Sequence, residues 1–165
     1  MRWMWVDRFT AFEPGRWAEA VKCVSLAEPH VHDLAPWYPS LPRTLILEGL
    51  AQTGGVLAGQ RGGYRENVIL AKIARAAFHA DALPGDRLVY RAELVEYQPE
   101  GSRIVGTATC EGRLVAEVDI LFVHLGRGQA LPPGAGPHFV FDGMFESLRR
   151  LNAIIAAPPA EGDRP

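Results

Sequence analysis

The sequence predicts an α+β domain in which an antiparallel sheet wraps around one central buried helix, with an amphipathic helix appended at the C-terminal end. Three observations carry that expectation. Before residue 138 there is one strong helical stretch, and it is apolar almost all round. From Val68 to Leu125 the chain is nearly continuous β-former broken by turn signals. After a Gly/Pro-rich stretch, Met144, Leu148, Leu151 and Ile155 fall on one helical stripe. With 165 residues the chain has the length of one domain.

The elements follow in order. Trp3 to Val6 reads as a short aromatic strand, Glu13-Pro14-Gly15 as a turn, and Trp17 to Ser25 as a second strand. Glu28 to Pro42 carries prolines at 29, 36, 39 and 42, which predicts a stiff, extended loop. Stiff loops rich in His, Trp and Tyr commonly line sites. Pro42 then introduces a helix from Thr44 to Gln60, in which Leu45, Ile46, Leu47, Leu50, Ala51, Val56, Leu57 and Ala58 cover nearly every side. Gly49, Gly54 and Gly55 inside it each cost about 1 kcal/mol relative to Ala, which makes sense where a sheet approaches the helix backbone.

Strands are expected over Val68–Ala74, Leu88–Tyr97, Arg103–Cys110 and Arg113–Leu125, for a sheet of five to seven strands in all. Pro84-Gly85-Asp86 and Pro99-Glu100-Gly101 mark turns, and Glu111-Gly112 marks a two-residue hairpin. Leu88, Tyr90, Ala92 and Leu94 share one face. On the last strand Ala116, Val118, Ile120 and Phe122 face one way and Glu117 and Asp119 the other, so the sheet has a dry side and a wet side. The expected division is a domain over 1–125, a linker over 126–137 with seven Gly or Pro in twelve positions, a helix over 138–157 and a tail without fixed structure over 158–165.

Composition removes several function classes. Hydrophobic residues are 48% and charged residues 22%, an ordinary globular balance, and 17 Lys plus Arg against 19 Asp plus Glu give a net charge of −2. No basic block exists for binding nucleic acid phosphates, and no apolar run is long enough for a membrane span. The N-terminal stretch meets Asp7 too early for a secretory signal. Cys23 and Cys110, both in strand patterns, are expected as small core residues in a reducing, cytoplasmic setting.

Five short motifs in order and spacing resemble the bacterial 3-hydroxyacyl-ACP dehydratases, which have the hot-dog fold. They are Val6-Asp7-Arg8 with Glu13-Pro14-Gly15, Leu45-Ile46-Leu47-Glu48-Gly49-Leu50-Ala51-Gln52, Leu83-Pro84-Gly85-Asp86, Gly106-Thr107-Ala108-Thr109 and Leu114-Val115-Ala116-Glu117. On the family's signature, G-H-F-P-G-x-P-x-x-P-G-V-L-x-x-E with A-x-A-Q on the helix, Pro36, Pro39, Pro42, Leu45, Glu48, Ala51 and Gln52 match without a gap. The family's catalytic histidine falls on Leu34. Its flanking Gly, Phe and second Gly fall on Asp33, Ala35 and Trp37, and the Gly that opens the helix falls on Arg43. The scaffold is kept while the catalytic loop is rewritten.

Glu48 and Gln52, four apart, share one stripe of an otherwise apolar helix, and Thr44 extends it. A dry surrounding penalises the charged form of a carboxylate and favours its use as a proton donor. The resemblance implies the same role, a Glu that protonates the departing 3-hydroxyl while a histidine removes the C2 proton. His30 and His32 precede the altered position, and in an extended loop His32 could point where residue 34 would, which makes it the candidate substitute base, with a surface or loop-stabilising histidine as the alternative. Arg43 and Thr44 open the helix, where free N–H groups suit a thioester carbonyl. The Arg43 side chain narrows the pocket, meets a carrier phosphate or faces solvent. Trp37 and Tyr38 wall an acyl tunnel or pack under the loop. Ser25, Thr53 and Ser102 have no companions of a nucleophilic triad.

The expected function is that of a 3-hydroxyacyl-ACP dehydratase-like protein of fatty-acid or related acyl-chain synthesis, with relocated or weakened catalysis. The alternatives are a catalytically degenerate hot-dog subunit that binds acyl chains or pairs with an active paralogue, and an acyl thioesterase. The partners expected are an acyl-ACP or acyl-CoA thioester, acyl carrier protein and a second subunit, in a homodimer or larger even assembly or in a heterodimer with a paralogue. Neither a metal nor a cofactor is expected.

Overall fold

The computed structural model describes residues 4–33, 35–64 and 66–126; Leu34 and the expected segments beyond Gly126 lie outside the described residues. In chain order the elements are β1 (Arg8–Glu13), β2 (Trp17–Cys23), α1 (Pro29–His32), α2 (Arg43–Arg61), β3 (Asn67–Phe78), β4 (Arg87–Gln98), β5 (Gly101–Cys110) and β6 (Arg113–Leu125). The strands form one six-stranded antiparallel sheet in the order β1-β2-β4-β5-β6-β3. Helix α2 lies in its concave face, against β4 above all. This is the hot-dog architecture, an antiparallel sheet around one central helix.

Side-chain alternation decides which face is dry. Leu88, Tyr90 and Ala92 on β4, Ile104 and Ala108 on β5, and Val118 and Ile120 on β6 are buried against Ile46, Leu50 and Leu57 of α2. Glu117 and Asp119 point outward, where Arg75 and Arg103 pair with them. The turn between β5 and β6 places Glu111 at φ 49° and Gly112 at φ 79°, the left-handed geometry of a two-residue hairpin.

The helix glycines do what their positions suggested. A Cβ at Gly49 would lie 2.6 Å from two ring atoms of Tyr90, and one at Gly54 would lie 2.9 Å from Ile104 Cγ2. Tyr90 is fully buried, and burial pushes its phenol upward. Gly49→Ala should therefore lower stability by about 1–3 kcal/mol through overpacking, despite the better helix propensity of Ala. Urea unfolding measures it, and an unchanged midpoint would mean that the helix lies off the sheet.

Three expectations need correction. The first described strand is Arg8–Glu13, and of the expected Trp3–Val6 strand the described residues, Met4 to Val6, are not strand. Among these residues Trp5 and Val6 are buried core, entering from a non-strand segment, and the turn at Glu13-Pro14-Gly15 sets β1 against β2. The proline loop is not extended throughout, since Pro29 starts the helical turn α1, the position proline favours. Cys110 is buried as expected, but Cys23 ends β2 and is exposed.

Candidate functional site

Glu48 sits one turn into α2, and Gln52 follows on the same stripe; both are half-buried. The Gln52 Nε2 group donates to Glu48 Oε1 at 3.0 Å, and the backbone N–H of buried Trp5 donates to Gln52 Oε1 at 2.9 Å. The two bonds orient the amide, since its carbonyl takes the N–H and its NH₂ is left for the carboxylate, which only accepts. Glu48 is thus a fixed carboxylate on the central helix. Thr44 and Arg43, one turn earlier, are exposed.

At one end of the sheet order lies an edge strand with partly exposed apolar residues. Among the described residues edge strand β3 pairs with β6 alone, and its Leu70 and Ile73 share the face of Phe122 and Ile120 yet remain 41% and 39% exposed. Apolar side chains of that size on a free edge mark an interaction surface.

The rewritten loop is short and tightly tied. In α1 the helical turn places His30 and His32 on different sides, so the extended-chain argument that aims His32 toward position 34 does not hold. His32 Nδ1 lies 2.7 Å from Asp33 Oδ1 and is about half exposed. His30 instead turns inward. Its Nε2 is 2.7 Å from Glu28 Oε2 and its ring meets the Trp5 ring edge-on with centroids 4.4 Å apart. Glu28 also takes a 2.5 Å bond from Lys22, whose ammonium is buried and reaches Asp7 at 3.9 Å. Burial raises Glu28, but Lys22 and His30 outweigh it and hold the carboxyl below its usual range.

Arg43 is committed to Asp81, with Nε at 3.2 Å and Nη2 at 3.0 Å from Oδ1, and the Tyr38 hydroxyl reaches Asp81 Oδ2 at 3.3 Å. Trp37 is 85% exposed and so does not pack under the loop. Among the described residues no group of three His, Cys, Asp or Glu side chains is placed to hold a metal ion.

Ser102 does have a companion, contrary to expectation. Its Oγ is 3.0 Å from Nε2 of buried His124, and His124 Nδ1 lies 3.7 Å from Glu66. Burial depresses the His124 imidazole below its ordinary range. The signal was available in the β5–β6 register, which puts Ser102 opposite Phe122 and diagonal to His124 on the inner face. Both Ser102 and His124 are buried, so the pair ties the two strands together.

Residues 3–119 match the family model described as a FabA-like domain. The 3-hydroxyacyl-[acyl-carrier-protein] dehydratase FabZ of Pasteurella multocida is 37% identical over 118 residues, 70% of this chain and 78% of that protein. Among solved structures, the dehydratase heterocomplex ApeI:P from Xenorhabdus doucetiae superposes with a TM-score of 0.62 at 15% identity, covering 76% of this chain and 85% of that one. The thioesterase HI1161 from Haemophilus influenzae gives 0.58 at 14% identity, over 72% and 77%. Dehydratase and thioesterase share this fold, so the fold alone does not choose between them.

Proposed function

The chain belongs to the FabA-like family, and from that membership we propose that it acts on 3-hydroxyacyl thioesters of acyl carrier protein, with Glu48 as the acid of a dehydration. It is a dehydratase-like protein of acyl-chain chemistry. In the reaction a base takes the C2 proton, the C2=C3 bond forms, and the C3–O bond breaks as the hydroxyl leaves, protonated, as water. The observation that carries the reading is the half-buried Glu48 on the central helix, held by Gln52. The N-terminal N–H groups of α2, next to Arg43 and Thr44, suit the thioester carbonyl.

The base is the weakened half. Leu34 stands where the family resemblance puts a histidine, and His32, the substitute, is tied to Asp33. Turnover is accordingly slow, and Trp37 and Tyr38 stand at the mouth of the acyl site. A second reading, a non-catalytic subunit paired with an active paralogue, draws on the same Leu34. Incubation with 3-hydroxyacyl and saturated acyl thioesters, on carrier protein and on CoA, separates the readings. Enoyl product supports the proposal, free thiol indicates a thioesterase, and no product at any enzyme concentration favours the non-catalytic subunit.

The uncovered edge also supports assembly. We propose a homodimer in which β3 pairs with β3 of a second copy across a two-fold axis, burying Leu70 and Ile73. Sedimentation should give a dimer at micromolar concentration, and Ile73→Asp should weaken it at least about tenfold, since a charge would be buried in the contact. A parent monomeric at micromolar concentration contradicts this. No described helix is long and apolar enough to cross a membrane, and the proposed location is the cytoplasm.

A further inference from the structure

The Glu48 carboxylate is oriented by Gln52, but Gln52 is itself oriented by a backbone group 47 residues away, the N–H of Trp5. Trp5 precedes the first strand, so its place depends on what its side chain packs against. One contact of that side chain is the His30 ring, met edge-on at 4.4 Å, and His30 is held from its other end by Glu28 at 2.7 Å. Glu28 is anchored in turn. The buried Lys22 ammonium needs carboxylates around it, and it takes Glu28 at 2.5 Å with Asp7 at 3.9 Å. From Lys22 to Glu48 every link is a hydrogen bond, an ion pair, a ring contact or the backbone of one residue.

We propose that His30 is a positioning residue for Glu48. Together with Glu28 it seats Trp5, the Trp5 N–H fixes which way the Gln52 amide faces, and the Gln52 NH₂ then holds the carboxylate in its working orientation. The chemistry of the amide makes the link sensitive. With the Trp5 N–H in place, the oxygen of Gln52 has a donor to accept and the nitrogen has a carboxylate to donate to. With Trp5 displaced, the Gln52 oxygen loses this donor, and an amide turned to present its oxygen to the Glu48 oxygens would be repelled by them. His30 is thus given a role distinct from proton abstraction. The inference rests on the dehydratase reading for its effect on turnover, but its structural half can be read without any substrate.

Two readouts on one set of variants test it. In the Leu34→His background, His30→Ala should lower kcat for dehydration about tenfold while KM stays within about twofold, because a small misplacement of a reacting group is felt in the chemical step. His30→Phe keeps a ring edge against Trp5 and should recover at least about a third of the lost kcat. In 15N-labelled protein without substrate, the side-chain amide pair of Gln52, identified by its disappearance in Gln52→Ala, should move in His30→Ala and return toward its original position in His30→Phe. Equal losses in both His30 variants with an unmoved Gln52 pair would overturn the proposal. Absence of turnover in every variant would remove the dehydratase reading, and the amide pair alone would then decide whether His30 orients Gln52.

Discussion

Leu34→His should raise the rate of dehydration of a 3-hydroxyacyl thioester by about 10²-fold or more, the usual contribution of a positioned general base. The proposed acid, Glu48, is held by Gln52 at 3.0 Å, and the start of α2 is the proposed seat of the carbonyl. What the loop lacks is an imidazole at the position the family resemblance assigns to the base. His30 is engaged with Glu28 and Trp5, and His32 with Asp33. A neutral imidazole suits removal of a proton beside a thioester carbonyl, and leucine has no group that can do it. Steady-state kinetics on parent and variant measure the gain. A parent already fast, and slowed about 10²-fold or more by His32→Ala, would instead locate the base at His32. If neither substitution changes turnover, the loop has diverged beyond this chemistry, with Ala35, Trp37 and Arg43 as the obstacles.

The second large effect is a loss. In the Leu34→His protein, Glu48→Gln should lower dehydration by about 10²–10⁴-fold, because a departing hydroxide then leaves without a proton. The substitution preserves the side-chain volume and an oxygen that accepts from Gln52, so folding and acyl binding are retained and the loss falls on kcat. A drop confined to KM would mean that Glu48 only contributes to binding. Gln52→Ala should act in the same direction with a smaller effect, since it leaves the acid in place but unheld.

Much of the fold was legible because its signals are local or periodic. Helix α2 begins and ends within one residue of the expected span, since an all-round apolar stretch after Pro42 admits few other readings. Strands β4 to β6 declared themselves through alternation, and Glu111-Gly112 through its left-handed turn. The first strand was misplaced for a physical reason. Trp5 and Val6 have the residue types of a strand, but it is the pairing of Arg8–Glu13 with β2 around the Pro14-Gly15 turn that makes one. The proline loop misled in the opposite sense, because Pro29 can start a helical turn as readily as it can stiffen an extended chain.

The candidate site divides the same way. Glu48 and Gln52 could be paired from their spacing of four on a helix. The supports behind them could not. Lys22, Glu28, His30 and Trp5 come from three segments and meet only because β2 and α1 fold over the residues that precede β1. Three readings of Arg43 fit the sequence equally, and what fixes its guanidinium is Asp81, on the far side of β3 in sequence. Long-range pairing of this kind leaves no mark in local composition.

The most direct measurement runs the reaction backwards. Hydration of a 2-enoyl thioester in deuterated water uses the same groups in reverse, and it places one deuterium on C2 as water oxygen adds to C3. The Leu34→His protein should convert the enoyl thioester into a 3-hydroxyacyl thioester carrying a single deuterium at C2, and adding Glu48→Gln should remove that conversion. An enoyl thioester left intact by the Leu34→His protein, or cleaved to free thiol at a rate indifferent to Glu48, would contradict the assignment of Glu48 as the acid of a dehydratase.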